Sequence, residues 1–206
     1  MGYIIHGAPG SGSGIVEAAC AEIGVDYEVR DLDARADEHR GEAYRRLNPQ
    51  RKLPTLELDS GELITETVAI LITLDERHRQ AGLLPPLASV ERAQALRWMV
   101  FLATELYPLV EIIDYPERFA PAPDAKPLAE RAEAIWRERW RLLEANVSGS
   151  PYCLASGFAA TDLYVTKLGV WLEAAWRREH LPRVDGIIAA VRARPALRGV
   201  WARHIR

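Results

Sequence analysis

Two adjacent prolines, Pro85 and Pro86, divide the sequence into two stretches of different hydrophobic periodicity. Before them, short apolar runs of strand type alternate with helical patterns, whereas after them the periodicity is helical and no convincing strand appears. Consecutive prolines stop a helix and stiffen the chain, which makes this the best domain boundary in the sequence. We therefore predict two domains, residues 1–80 and residues 89–206, joined by a linker over residues 81–88.

The first stretch predicts the element order β-α-β-α-β-β-α. Apolar residues alternate with polar ones, or run between turn residues, in four predicted strands at residues 3–6, 27–32, 55–58 and 63–64. Helical spacing predicts helices over residues 15–23 and 37–47 and another from Thr65 onward. This order suits a small mixed sheet covered by helices. In the second stretch, helices are predicted over residues 90–109, 124–145, 161–176 and 184–194.

The composition argues against several classes of protein. The chain has 206 residues and a formal net charge of −3, so it lacks the dense basic surface that nucleic-acid binding usually requires. No apolar stretch approaches the length of a membrane span, and no secretory leader is recognisable. The two cysteines, Cys20 and Cys153, are far apart, which fits a reducing cytoplasm, and the five histidines show no metal-ligand spacing. We expect a cytoplasmic protein without a metal, a nucleic-acid partner or a membrane partner.

A glycine-rich loop, GAPGSGSG at Gly7–Gly14, lies between the first predicted strand and the first predicted helix. The phosphate-binding pattern GxxxxGK[ST] requires a lysine at the position that Ser13 occupies. The dinucleotide pattern GxGxxG fails as well, because Ile15 and Glu17 stand where its last glycine would be. We therefore expect no nucleotide cofactor.

The same loop presents two hydroxyls, Ser11 and Ser13, at a helix N-terminus. The exposed backbone N–H groups and the positive end of the helix dipole favour an anion there. A thiolate is one such anion, and hydrogen-bond donors around it would lower the pKa of the thiol. The alternative is that either serine simply caps the helix.

Two further segments carry a family resemblance. The run NPQRKLPTL, residues 48–56, followed by GELITETVAI, residues 61–70, resembles the NPxGKVPxL and ESxAI signature of the glutathione transferase superfamily. The resemblance extends over the whole chain, from the glycine-rich loop and the proline linker to the helical second half. It implies an α/β N-terminal thioredoxin-like domain and an all-α C-terminal helical bundle. It also implies glutathione as co-substrate, a small apolar electrophile as second substrate, and a homodimer.

The resemblance assigns a glutathione site. It implies a cis bond between Leu53 and Pro54, which would leave the backbone of Leu53 free to pair with the cysteinyl part of glutathione. Thr67 and Glu66 would bind the γ-glutamyl group, and Lys52 could reach the glycyl carboxylate. Without the resemblance, an ordinary trans proline opening an edge strand and a helix capped by Thr65 explain the same residues.

The sequence departs from the family pattern at several positions. Arg51 replaces the usual glycine before Lys52, and Thr67 replaces the commoner serine. In the second half, Ala159 stands where the family has a capping serine or threonine, which leaves Asp162 as the capping side chain.

The opening loop also lacks the usual active-site residues. Tyr3 lies too early for a tyrosine-type site, and Gly12 occupies the bacterial cysteine position. The resemblance therefore implies a serine-type site, with Ser11 as first candidate and Ser13 as second. A backbone N–H is the remaining alternative for holding the thiolate.

The family places the second substrate in an apolar cleft lined by the first helices of the second half. The candidate residues there are Trp98, Phe101, Tyr107 and Tyr115, although core packing explains aromatic residues equally well. Two other functions remain open from the sequence. One is a non-catalytic binding or regulatory protein of the same fold, and the other is a glutathione-dependent reductase, against which the absence of a loop cysteine argues.

Overall fold

The computed structural model describes residues 2–205, which form two compact units. The first unit combines the residues up to Pro86 with those from Ala190 onward, and the second comprises Leu87–Ala189. The expected second domain, residues 89–206, differs from this division at its C-terminal end. The difference arises because the last helix of the chain packs against the first helix.

The first unit contains a four-stranded mixed sheet with strand order β2-β1-β3-β4. The strands are β1 (Tyr3–Gly7), β2 (Tyr27–Asp31), β3 (Thr55–Glu57) and β4 (Leu63–Ile64). β1 pairs with β2 in parallel and with β3 in antiparallel orientation, and β3 pairs with β4 in antiparallel orientation. The helices of this part are α1 (Ser13–Ile23), α2 (Glu42–Arg45) and α3 (Thr67–Arg77). The predicted order β-α-β-α-β-β-α is confirmed.

Helix α1 lies at the centre of the first unit. It contacts β1, α3 and the C-terminal segment formed by a 3₁₀ turn (Pro195–Leu197) and the last helix, α10 (Arg198–His204). All residues from Ser13 to Cys20 are buried as a result, the carboxylate of Glu17 included. The helix ends at Gly24, whose φ of 77° is the left-handed C-terminal conformation that glycine favours.

The second unit is built from helices. They are α4 (Val90–Phe101), α5 (Tyr107–Asp114), α6 (Ala122–Asn146), α7 (Ala160–Gly169), α8 (Ala174–His180) and α9 (Pro182–Ala193), the last of which continues into the first unit. A π-helical turn, Leu102–Leu106, divides the predicted helix 90–109 into α4 and α5. Pro108 is the second residue of α5 and has no N–H to donate to the preceding turn, so the regular hydrogen-bond pattern is interrupted where α4 passes into α5.

At the start of α7, Ala159 has no hydroxyl to accept the N–H of Asp162, which bonds instead to the carbonyl of Ala159 at 2.9 Å. The carboxylate half of the capping box is retained. Asp162 accepts the N–H of Ala159 at 2.8 Å with one carboxylate oxygen and the N–H of Cys153 at 2.7 Å with the other. Every residue of α7 is buried, so these two bonds satisfy backbone groups that water cannot reach. None of the helices within residues 2–205 combines the length and apolar character that a membrane span requires.

Candidate functional site

Three segments meet at one edge of the sheet in the first unit. The glycine-rich loop follows the carboxyl end of β1, and the segment around Pro54 precedes β3, whose Thr55 pairs with His6 of β1. β4 is antiparallel to β3, so the residues after Ile64 return to the same edge. The topology therefore brings together the three segments that the sequence analysis singled out, which are far apart in the chain.

Ser11 is the half-buried serine of the loop. Its Oγ lies 3.3 Å from the N–H of Ala8, 3.2 Å from the N–H of Ser13 and 3.0 Å from Ser13 Oγ. Helix α1 begins at Ser13, and its N-cap residue, Gly12, makes no side-chain cap. No hydrogen bond within residues 2–205 uses the Gly12 N–H. The loop thus offers a hydroxyl and an unused backbone donor side by side.

Ser13 is fully buried, and its hydroxyl is engaged inside the protein. Its Oγ lies 3.3 Å from both the N–H and the C=O of Ala8 and 3.2 Å from Glu17 Oε1, in addition to its contact with Ser11. The two serine candidates therefore differ in chemistry, because only Ser11 retains exposed surface.

Close packing explains two glycines of the loop region. A Cβ on Gly7 would lie 2.4 Å from the Cβ and Oγ of Ser13, and a Cβ on Gly14 would lie 2.8 Å from Cγ of His204. Both distances are far below van der Waals contact. Gly7 and Gly14 therefore leave room for the side chains of Ser13 and His204, which occupy the space that a Cβ would need.

Behind the loop lies a buried polar cluster that the sequence analysis missed. Glu17 Oε1 lies 2.9 Å from His204 Nε2, and Glu17 Oε2 accepts from Arg203 Nε at 3.2 Å. Arg203 also pairs with Asp31 at the end of β2. One signal was available, since Glu17 is the first charged residue in the apolar helix IVEAACAEI and lies one turn after Ser13. Nothing local to the sequence pointed to His204, 187 positions later.

The segment before β3 has a cis peptide bond between Leu53 and Pro54. Asn48 Nδ2 and the hydroxyl of Tyr44 donate to the carbonyl of Lys52, at 2.7 Å and 3.0 Å, and so fix the approach to this turn. Burial raises the pKa of Tyr44, so the phenol stays protonated and able to donate. Within the part of the chain that the structure describes, neither the N–H nor the C=O of Leu53 makes a hydrogen bond.

Arg51 and Glu66 both have left-handed backbone conformations, with φ of 57° and 65°. Arg51 adopts this conformation at the position where the family pattern has glycine, the residue that takes positive φ without strain. Glu66 is exposed and is the N-cap residue of α3, so the alternative interpretation, in which Thr65 caps this helix, is wrong. A non-glycine residue held at positive φ costs roughly 1–3 kcal/mol, and such residues cluster at ligand sites.

The N-terminus of α3 lies at the same edge of the sheet, because it follows β4. The helix begins at Thr67, which is buried, and no side chain caps its first turn. Its first N–H groups and the dipole therefore favour an anion at this edge of the sheet. Lys52, the remaining predicted residue, is exposed.

The four aromatic candidates of the second unit differ in exposure. Trp98 is buried and packs edge to face against Phe101 at a centroid distance of 5.4 Å. Tyr107 is half-buried among aromatic neighbours, whereas Tyr115 is exposed and stacks under the guanidinium of Arg118. Trp98 therefore serves the core, and the other three retain accessible surface.

The sheet order and the cis-proline before β3 define a thioredoxin-like domain, which is followed here by a helical unit. Comparison with known proteins identifies the family. The family model described as the N-terminal domain of glutathione S-transferase matches residues 13–77. The chain is 31% identical to an Escherichia coli (strain K12) relative named "Uncharacterized GST-like protein YncG", with 97% of each chain covered.

Two further comparisons agree. The chain is 31% identical to glutathione S-transferase GstA of Escherichia coli O157:H7, with 79% of this chain and 83% of the relative covered. A solved glutathione transferase homologue from Sulfitobacter, with bound glutathione, matches with a TM-score of 0.90 and 21% identity over 99% of each chain. The chain belongs to the glutathione S-transferase family and has its fold.

Proposed function

We propose that this protein is a glutathione transferase that joins the sulfur of glutathione to a small apolar electrophile. The observation that carries the proposal is the convergence of unused backbone donors and acceptors at one edge of the sheet. They are the N–H of Gly12, the N–H and C=O of Leu53, and the uncapped first turn of α3 that begins at Thr67. A short peptide with a thiol and a carboxylate complements all three.

Each part of glutathione has a proposed partner. The cysteinyl backbone pairs with Leu53 as an added strand beside Pro54. The γ-glutamyl carboxylate binds the hydroxyl and N–H of Thr67, with Glu66 beside its ammonium group, and Lys52 pairs with the glycyl carboxylate. The backbone conformation of Glu66 sets the direction in which its side chain leaves the helix start.

The thiolate is held by Ser11 and Gly12. We assign the hydroxyl to Ser11 rather than Ser13, because Ser13 is fully buried and bonded to Ala8 and Glu17. Hydrogen bonds and the dipole of α1 favour the charged form of the sulfur and so lower the pKa of the thiol. The thiol gives its proton to solvent, and the thiolate attacks the electrophilic carbon of the second substrate. The carbon–sulfur bond forms as the bond from that carbon to its leaving group breaks, and the leaving group departs with the electron pair as an anion.

The second substrate is proposed to contact aromatic surface of the helical unit, supplied by Phe101, Tyr107 and Tyr115. Trp98 is left out of this assignment because it is 2% exposed. We further propose that the protein acts in the cytoplasm as a homodimer and serves detoxification. The exposed side chains of Leu87, Val90 and Val100 support an interface between copies.

The test combines glutathione titration with a conjugation assay that uses an aromatic electrophile. Ser11→Ala is expected to lower kcat/KM at least roughly tenfold, the effect of about one hydrogen bond to the sulfur. Ser60→Ala, at an exposed turn, is the matched control and is expected to behave as wild type. Full activity of Ser11→Ala would leave the Gly12 N–H as the thiolate donor.

A second pair of variants tests glutathione recognition at α3. Thr67→Val keeps the shape of the side chain and removes its hydroxyl, so glutathione should bind roughly tenfold more weakly. Thr73→Val makes the same change further along the same helix and should leave the affinity unchanged. Equal affinities in the two variants would contradict the assignment of Thr67.

Two outcomes would replace the proposed activity. Glutathione binding without conjugation of any electrophile would support a non-catalytic binding protein of the same fold. Glutathione-dependent reduction of a disulfide would support a reductase. The burial of both free cysteines, Cys20 and Cys153, argues against a reductase that uses its own thiol. Absence of glutathione binding would overturn the proposal altogether.

A further inference from the structure

A chain of hydrogen bonds connects the C-terminal helix α10 to the serines of the loop. His204 of α10 lies 3.1 Å from the N–H of Gly10 through Nδ1 and 2.9 Å from Glu17 Oε1 through Nε2. Glu17 Oε1 also contacts Ser13 Oγ, which contacts Ser11 Oγ. We call this chain, from Gly10 through His204, Glu17 and Ser13 to Ser11, the C-terminal relay.

The direction of each hydrogen bond in the relay follows from its chemistry. A backbone N–H can only donate, so Nδ1 of His204 must be the unprotonated ring nitrogen. Nε2 then carries the hydrogen and donates to Glu17, whose carboxylate only accepts. Ser13 donates to the same carboxylate, which leaves its own oxygen as an acceptor for the hydroxyl of Ser11.

This arrangement fixes the oxygen of Ser11 and leaves its hydrogen able to rotate. The N–H groups of Ala8 and Ser13 hold the oxygen in place. When the hydrogen turns from Ser13 towards a bound sulfur, Ser13 Oγ keeps the N–H of Ala8, so no buried hydroxyl loses all its partners. The relay therefore presents a donor to the sulfur with little reorganisation.

Burial makes the relay rigid. The side chains of His204 and Glu17 are 0% and 2% exposed, and Ser13 is fully buried. Hydrogen bonds in such surroundings are electrostatically stronger than in water, and unpaired groups there are costly. The guanidinium of Arg203 balances the charge of Glu17. The ring of His204 lies against Gly14, whose missing Cβ provides the space for it.

We propose that His204 is a positioning residue for the glutathione thiolate. It acts through Glu17 and Ser13 on the hydroxyl of Ser11, and through its own bond on the backbone of Gly10. The inference rests on the proposed function, since it concerns the same sulfur site. It assigns a role in the chemistry of the loop to a side chain at the other end of the sequence.

The first measurement concerns the free protein. Nitrogen NMR of the His204 ring is expected to show a neutral imidazole with its hydrogen on Nε2. A hydrogen on Nδ1 would contradict the bond from Gly10 and overturn the inference. Because this measurement needs no glutathione, it examines the geometry independently of the proposed function.

The second measurement follows the bound thiol through the ultraviolet absorbance of its thiolate as a function of pH. His204→Phe is expected to lower the thiolate fraction roughly tenfold at a pH below the thiol pKa, while the glutathione Kd changes less than roughly threefold. In His204→Gln the amide can still donate to Glu17, so the thiolate fraction should fall less than in His204→Phe. His180→Phe, the same exchange in the second unit, should match wild type.

The outcomes separate the two proposals. A wild-type protein that binds no glutathione overturns the proposed function and the role of His204 together. Glutathione bound with the same thiol pKa in wild type and His204→Gln and His204→Phe overturns the role of His204 alone. If His204→Phe does not fold, the comparison of wild type with His204→Gln decides, since equal thiolate titrations would again contradict the inference.

Discussion

Replacing Gly14 by alanine is expected to destabilise the protein, although alanine is the better helix former. Gly14 is the second residue of α1, and in an exposed helix the exchange would stabilise by up to about 1 kcal/mol. Here the new Cβ would lie 2.8 Å from Cγ and 2.9 Å from Nδ1 of His204, where ordinary contacts begin near 3.4 Å. The ring must therefore move by roughly half an ångström.

The cost of that movement exceeds the gain in helix propensity. Overpacking of a dense core costs about 1–3 kcal/mol, and weakening the bond from His204 to the buried carboxylate of Glu17 adds up to about 1.5–3 kcal/mol. These contributions overlap, since both arise from one displaced ring. We expect a net loss of about 2 kcal/mol in the free energy of unfolding, or a fall of roughly 4–8 °C in Tm for a chain of this size.

The assay is urea unfolding followed by circular dichroism, with Gly199→Ala as the matched control. Gly199 is the second residue of α10, and a Cβ there would meet no heavy atom within 4 Å. This variant should be as stable as wild type or more stable. Equal stabilities for Gly14→Ala and Gly199→Ala would show that the ring of His204 is not held against α1, and the reasoning would be refuted.

Three more predictions concern other parts of the molecule. Arg51→Gly should raise the free energy of unfolding by about 1 kcal/mol, because glycine adopts positive φ without strain. Arg46→Gly, at φ −69°, is the control and should lower it. The midpoints of urea unfolding measure both changes. Burial, followed by the charge of Glu17, raises the pKa of Cys20 to about 12, so its contribution to stability is present below pH 9 and declines as pH rises towards 12. Between pH 8 and pH 10, the free energy of unfolding of Cys20→Ala should fall by about 1.4 kcal/mol less than that of wild type. Equal falls in the two proteins would contradict the raised pKa of Cys20. Asp162→Asn should cost about 2–4 kcal/mol in thermal unfolding, because its amide group would face a buried N–H, and wild-type stability would disprove that account.

The fold was predictable because local patterns determine most of it. Alternation and turn residues located the four strands, and Pro85 with Pro86 located the change to helices. The ends of elements were less predictable, since they depend on tertiary contacts. Helix α3 begins after Glu66, which has a positive φ, and Thr65 does not cap it. Pro108 is preceded by a π-helical turn, which hydrophobic periodicity does not predict.

The segments around Pro54 and Glu66 were predictable because they carry local signatures at fixed spacing. The distinction between Ser11 and Ser13 was not, since it depends on the burial of Ser13 against Glu17. The contact between His204 and Glu17 was even less predictable. His204 contacts a residue 187 positions earlier, and a single sequence contains no periodic signal for such a contact.

The placement of α10 against α1 has a consequence for biosynthesis. A ribosome synthesises residues 1–86 well before residues 190–205, and the first unit includes both segments. During synthesis, Glu17 at the N-terminal part of α1 therefore lacks Arg203 and His204 until residues 203 and 204 have been made. The first unit therefore begins before the second unit is made and gains its remaining segment only after all of the second unit has been synthesised.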